Sequence, residues 1–280
     1  MDNSNTFTFT AKHKKTFAVM IVIGLIGLLF GILNGDVSGG RVWANVLLNN
    51  VLFLGIAFLA GAFIATHYSA FSGWHVLVKK IPEAISSFLP VGFALMAIVV
   101  VGLWTHSHHL FHWAEEGITT EGAPNYDEIA EHKSAYLNLP FFTIRFVVYG
   151  LLWIGIARIL RKYSLMEDKL GGIKPHKRSK KWSSIFLVVF GVTSSTFAWD
   201  FLMSIDFHWY STLFGWYATV SLWLCCLATV ILIIIYLKNT GHLPQVNENH
   251  IHDLGKYLFG FSVFWTYLWF SQYMLIWYGN

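Results

Sequence analysis

Charge is scarce in this sequence. Asp, Glu, Lys and Arg make up 12% of the 280 residues against 55% hydrophobic residues, and mean hydropathy is +0.54. No ordinary soluble domain of this length is so poor in charge, which places the chain among polytopic membrane proteins. Its formal charge of +4 therefore points to no nucleic-acid partner, because the basic residues gather in particular loops where they set topology. Cysteine is nearly missing as well: Cys225 and Cys226 are adjacent in an apolar run, and no CxxC or CxxCH occurs. Neighbours on a helix point apart, so neither a disulfide frame nor a covalent haem is indicated. None of the 13 histidines falls centrally in an apolar run, whereas a haem b subunit needs facing histidines within its spans. With cysteine ligands missing too, no haem and no iron–sulfur centre is expected on this chain.

Long apolar runs are abundant. A span needs about 20 mostly apolar residues, and seven are predicted, near Thr16 to Leu33, Val42 to Thr66, Ile85 to Trp104, Phe141 to Leu160, Ser183 to Met203, Thr212 to Leu237 and Tyr257 to Trp277. The first reads as a retained anchor, because Asn34-Gly35-Asp36 after it lacks a small-residue cleavage pattern. The fold class is all-α, a membrane helix bundle. Residues 1–15 form an N-terminal segment, 16–160 the first four spans with an acidic loop at 105–139, 161–181 a basic linker, and 182–280 the last three spans. Lys12, Lys14, Lys15, Lys79, Lys80 and the eight Lys or Arg between Arg161 and Lys181 fall on alternate loops, so the N-terminus is expected to be cytoplasmic. The loop from Thr105 to Leu139 carries six acids and belongs outside, long enough for a short helix. The chain stops at Asn280 directly after its last apolar run, which reads as the front part of a longer polypeptide.

The polar groups near spans concentrate on that outer side. Asn45, Asn49 and Asn50, then His106, His108, His109 and His112, then Arg145, then Asp200, Asp206 and His208, and finally Gln272 and Tyr273 all lie there. Charge near a span costs a few kcal/mol and is usually paired, hydrated or functional. The layout suits a polar cavity entered from the outer face, where protons or a quinone headgroup are handled. Arg145 follows Pro140 by five residues and Asp200 lies as far inside its own span, so at 1.5 Å per residue both sit about 8 Å into their helices and are expected to pair. The alternative is that Arg145 snorkels to headgroups while Asp200 caps a neighbouring helix. His108 and His112, four apart, would share one helical face suited to proton relay. Interfacial histidines contacting headgroups or a partner explain the same spacing, and no metal is expected. The aromatic content of 18% supplies interfacial anchors and permits a quinone groove without arguing for one.

The segment AWDFLMSIDFHWYSTLFGWY, together with HHLFHW and KSAYLNLPFF, resembles the integral-membrane subunits of bacterial alternative complex III, which belong to the polysulfide-reductase-like (NrfD-like) family. It is more similar to the second, quinone-binding membrane paralogue than to the one under the iron–sulfur protein. The resemblance implies two four-helix bundles, here spans two to five and the start of a second. It implies quinol oxidation near the outer face, and a proton path through the membrane subunits. Its implied partners are the paralogous membrane subunit, an iron–sulfur protein, multihaem and monohaem cytochromes c, a terminal oxidase and membrane lipids. Cofactors would belong to those neighbours. Asp200, Asp206 and His208 match the family's aspartate run, and His108, His109 and His112 its histidine-rich segment. On this expectation Asp200 and Asp206 exchange protons, Arg145 tunes Asp200, and the histidines relay protons outward in a cytoplasmic-membrane protein. A scaffold subunit of the same complex and a stand-alone proton-coupled transporter are the competing readings, although no midplane site or paired halves favour the transporter.

Overall fold

The computed structural model describes residues 7–34 and 40–279. Nine α-helices carry the described residues: α1 (Ala11–Asn34), α2 (Gly40–Ser69), α3 (Lys80–Ser86), α4 (Leu89–Trp104), α5 (Glu128–Lys133), α6 (Leu139–Leu170), α7 (Ile173–Phe201), α8 (Thr212–Asn239) and α9 (Glu248–Gly279). No strand occurs among them.

α2 lies at the centre because its sequence leaves it no polar face. LGIAFLAGAFIA is apolar all round, the pattern of a helix enclosed on every side, and the residues from Leu54 to Ala65 are buried without interruption. α3, α4, α7 and α8 pack against it, α6 closes against α4 and α7, and α9 lies along α8. Small residues set these distances. A Cβ on Gly55 would stand 2.7 Å from Leu222, and one on Gly92 would stand 2.8 Å from Leu54, so both glycines are sites of close helix approach. Trp153 of α6 stacks on Phe58 of α2 at 3.5 Å between ring centroids and donates its Nε1–H to Thr193 of α7 at 2.8 Å. One side chain thereby ties three helices together, with its only polar atom satisfied.

Six helical stretches are long and apolar enough to cross a membrane: Ala11–Leu33, Gly40–Ser69, Lys80–Trp104, Leu139–Leu170, Ile173–Ile205 and Thr212–Asn239. The seventh expected span, Tyr257 to Trp277 on α9, is not among them. α9 has the length, 32 residues, but its apolar half is rich in Trp and Tyr, whose rings carry polar tips and score lower than aliphatic chains in hydropathy.

Two boundaries also differ from the sequence reading. The stretch 161–181 is not a linker. α6 runs on to Leu170 and α7 starts at Ile173, leaving only Gly171 and Gly172 between them. Both glycines have left-handed φ, +63° and +81°, which permits so tight a reversal. Lysines and arginines have good helix propensity, so the basic residues extend the two helices instead of interrupting them. The third expected span is in turn broken at Ser87–Phe88 between α3 and α4. Pro90 has no N–H to give to the carbonyl four residues back, which accounts for the interruption.

Candidate functional site

The two sequence-predicted partners Arg145 and Asp200 meet. Asn138 caps α6 by accepting from the Phe141 N–H at 2.9 Å, and Pro140 sits in the first turn. This fixes the start of α6 and with it the depth of Arg145. Arg145 Nε donates to Asp200 Oδ2 and Nη2 to Oδ1, both at 2.9 Å, a two-pronged fork between α6 and α7. Tyr149 Oη adds a third bond to Asp200 Oδ2 at 2.7 Å, and Arg145 Nη1 donates to the Tyr136 carbonyl at 2.9 Å. The Tyr136 and Phe141 rings lie 3.9 and 4.4 Å from the guanidinium carbon, so the cation is also held by aromatic faces. The two side chains are 10% and 1% exposed. Burial with matched, bidentate geometry is the condition under which an ion pair offsets its own desolvation.

An open cavity of about 440 Å³ lies at the same end of the bundle. Its wall brings together His112, Asp127, Asp206 and His208, with Tyr126 and Phe207 between them. His208 Nε2 donates to Asp127 Oδ2 at 2.7 Å, while Asp206 Oδ1 stands 3.9 Å from His208 Nδ1. The other Asp127 oxygen caps α5, accepting from Ile129 N at 2.9 Å and Ala130 N at 3.0 Å. His112 and His109 both face Glu115, at 2.9 and 3.6 Å. The cavity joins the buried pair through α5 and the residues after it: Lys133 Nζ donates to the Phe207 carbonyl, and the Tyr136 carbonyl receives Arg145.

The Ala130 N–H, and after it His208, hold the Asp127 carboxyl below its ordinary value of 3.8. A carboxyl lowered in the folded state contributes stability above 3.8 that is lost as pH falls through the folded value. Asp127→Ala should therefore speed amide exchange over 128–133 at neutral pH and leave α8 unchanged. Acidification below 3.8 should open this loop to proteolysis in the native protein, with no further opening in the variant.

His108 does not share a helical face with His112, as its spacing predicts. Helix α4 stops at Trp104, and His106 takes a left-handed φ of +51°, so the chain from Thr105 to Phe111 is irregular. His108 is buried under Trp43, its Nε2 donating to the Val99 carbonyl at 3.0 Å and its Nδ1 accepting from Leu110 N at 3.4 Å. Burial pushes its pKa below the ordinary 6.5. With both ring nitrogens engaged it acts as a plug tying the loop to the end of α4. Asn45 and Asn49 also stay out of the cavity, each donating to a carbonyl one turn back on α2. Gln272 accepts from Ser211 Oγ at 2.6 Å, linking α9 to the start of α8.

The sequence reading missed a second polar cluster at the opposite end. Glu167 of α6 accepts from Tyr68 Oη at 2.7 Å, Lys79 Nζ at 3.1 Å and His176 Nδ1 at 3.0 Å. Lys80 bonds Asp168 and Ser164 beside it. His67 and His75 lie below, ring centroids 5.3 Å apart, each with a buried Nε2 that no described residue reaches. Burial pushes His75 down to about 4. The available signal was the pair Glu167-Asp168, the only acids in the basic stretch from Arg161 to Lys181. Among the described residues no group of three or more His, Cys, Asp or Glu is arranged to hold a metal ion. No family model matches this chain, and neither does any curated protein.

Proposed function

We propose that this chain is a redox-inert membrane subunit of a quinol-oxidising respiratory complex of the alternative complex III kind. On this reading it sits in the bacterial cytoplasmic membrane with its N-terminus cytoplasmic, and α9 is its seventh span. The observation that carries the proposal is the convergence of His112, Asp127, Asp206 and His208 on one open cavity, next to a buried charge clamp. Its volume suits a small headgroup, and an imidazole hydrogen-bonded to a carboxylate, as His208 is to Asp127, is a pair able to hand on a proton. The packing of α2, α4, α6 and α7 also supports it, since these are the spans expected to form a four-helix unit. His208, Asp127 and Asp206 then take and release protons, and haem c and iron–sulfur clusters reside in partner subunits. Arg145 and Asp200 serve by position: both carboxylate oxygens of Asp200 are already engaged and its side chain is buried.

That closure is the one observation favouring a scaffold role in the same complex. Tagging the chain, extracting it mildly and recording the haem spectrum and quinol:cytochrome c reductase activity of what co-purifies tests the assignment. A c-type spectrum with quinol oxidation is expected; a colourless, inactive, folded single chain overturns it and favours the transporter. Within an assembled complex, His208→Gln and Asp206→Asn should lower proton release per electron. Undiminished release with intact assembly leaves the scaffold reading.

A further inference from the structure

A cavity of about 210 Å³ opens where the start of α4 meets α6, lined by Ser86, Ser87, Pro90, Ile154, Arg158 and Arg161. The stretch from Leu139 to Arg161 covers about 33 Å at 1.5 Å per residue, close to the thickness of a bilayer's hydrocarbon core. The pocket therefore lies at headgroup depth, at the end of the bundle rich in Lys and Arg. Its two arginines stand three apart on one helix and are exposed. Neither makes an ion pair or hydrogen bond with a described residue, whereas nearby Lys79 and Lys80 are both paired with carboxylates. Two like charges on one face repel. The nearest hydroxyls offer no relief, because Ser86 and Ser87 donate to the carbonyls of Glu83 and Ala84. Below the arginines the lining becomes apolar, with Ile154, Ala157, Leu89 and Pro90.

We propose that this pocket binds an anionic glycerophospholipid, its phosphodiester between Arg158 and Arg161 and its acyl chains against the apolar lining. Planar guanidiniums match phosphate oxygens two at a time, and basic pockets between membrane helices are suited to anionic headgroups. A free phosphate would use the same arginines but leave the apolar floor empty.

The test is native mass spectrometry of the protein extracted from its own membranes with whatever partners it holds. A retained phospholipid is expected on the native protein. Arg158→Gln with Arg161→Gln should weaken retention about tenfold per arginine, ~1.4 kcal/mol each. Lys162→Gln with Lys169→Gln, equal in charge and on the same helix, should leave it unchanged. Arg158→Lys with Arg161→Lys keeps the charge and guards against misfolding, and should also lose lipid. Equal loss in the Lys162/Lys169 control would mean general attraction to the membrane and overturn the proposal, as would a native protein without bound lipid. Thermal unfolding of delipidated protein separates the sources. Phosphatidylglycerol micelles should raise the melting temperature and inorganic phosphate should not; equal stabilisation by phosphate overturns the lipid assignment.

Discussion

Asp200→Asn should cost about 3–5 kcal/mol of stability, the usual loss when one partner of a buried ion pair is removed. The asparagine keeps the shape of the side chain and one acceptor, but the Arg145 guanidinium then lies buried without a counter-charge. Arg145→Gln should cost more, since it also gives up the bond to the Tyr136 carbonyl and the contacts with the Tyr136 and Phe141 rings. Replacing both residues with leucine should recover much of the loss, because a well-packed apolar pair of similar volume is often no less stable than a buried ion pair. Denaturant or thermal unfolding in detergent of the native protein, the two single variants and Asp200→Asn combined with Arg145→Gln completes the cycle. Losses that simply add would mean that the two side chains do not act as a pair. The Asp200→Asn effect should also be local: amide exchange should rise over 134–138, which the guanidinium holds through the Tyr136 carbonyl, before it rises elsewhere.

This pair was legible because helix geometry is regular. Once Pro140 and the end of the aspartate-bearing run are located, 1.5 Å per residue places Arg145 and Asp200 at one depth, and opposite charges at one depth in an apolar bundle have few other partners. The histidines failed the same reasoning for a local reason. Four-residue spacing places side chains on one face only where the backbone is helical, and the left-handed residue His106 turns His108 inward while His112 stays exposed. Asp127 was lost among six loop acids, although an aspartate just before Glu128-Ile129-Ala130-Glu131 is a helix N-cap signal. Its contact with His208 spans a sequence separation of 81 residues, which no local pattern encodes. The six spans were visible as apolar runs, but the helical extension of α6 and α7 was not, because charge suggested a loop where propensity favoured helix. Lys79 and Lys80 were counted as topology markers, and that use concealed their partners on α6.

Glu167→Gln should destabilise the opposite end by a similar amount, about 3–5 kcal/mol, because it strands Lys79. Lys79 is 5% exposed, and without Glu167 it keeps only Tyr68 Oη at 3.4 Å and Asp168 at 3.8 Å. Lys79→Met should cost less, about 1.5–3 kcal/mol, the range for one hydrogen bond to a charged group. Glu167 is 23% exposed and still has Tyr68 and His176 to receive. The reverse order would show that the carboxylate, not the ammonium, bears the larger desolvation penalty. Glu167 is the hub that ties α2, the segment before α3 and α7 to α6, so its loss should raise amide exchange over residues 72–80 and leave 134–138 protected. Arg145 and Glu167 are separated by about 33 Å along α6 at 1.5 Å per residue, with no shared partner. Asp200→Asn and Glu167→Gln combined should therefore lose the sum of their separate costs to within about 0.5 kcal/mol. Additivity between the ends, together with strong coupling inside each, is what two independent charge clamps on one rigid helix require. A large coupling between them would mean instead that α6 shifts as a body and that the cavity around His208 responds to the opposite face of the membrane.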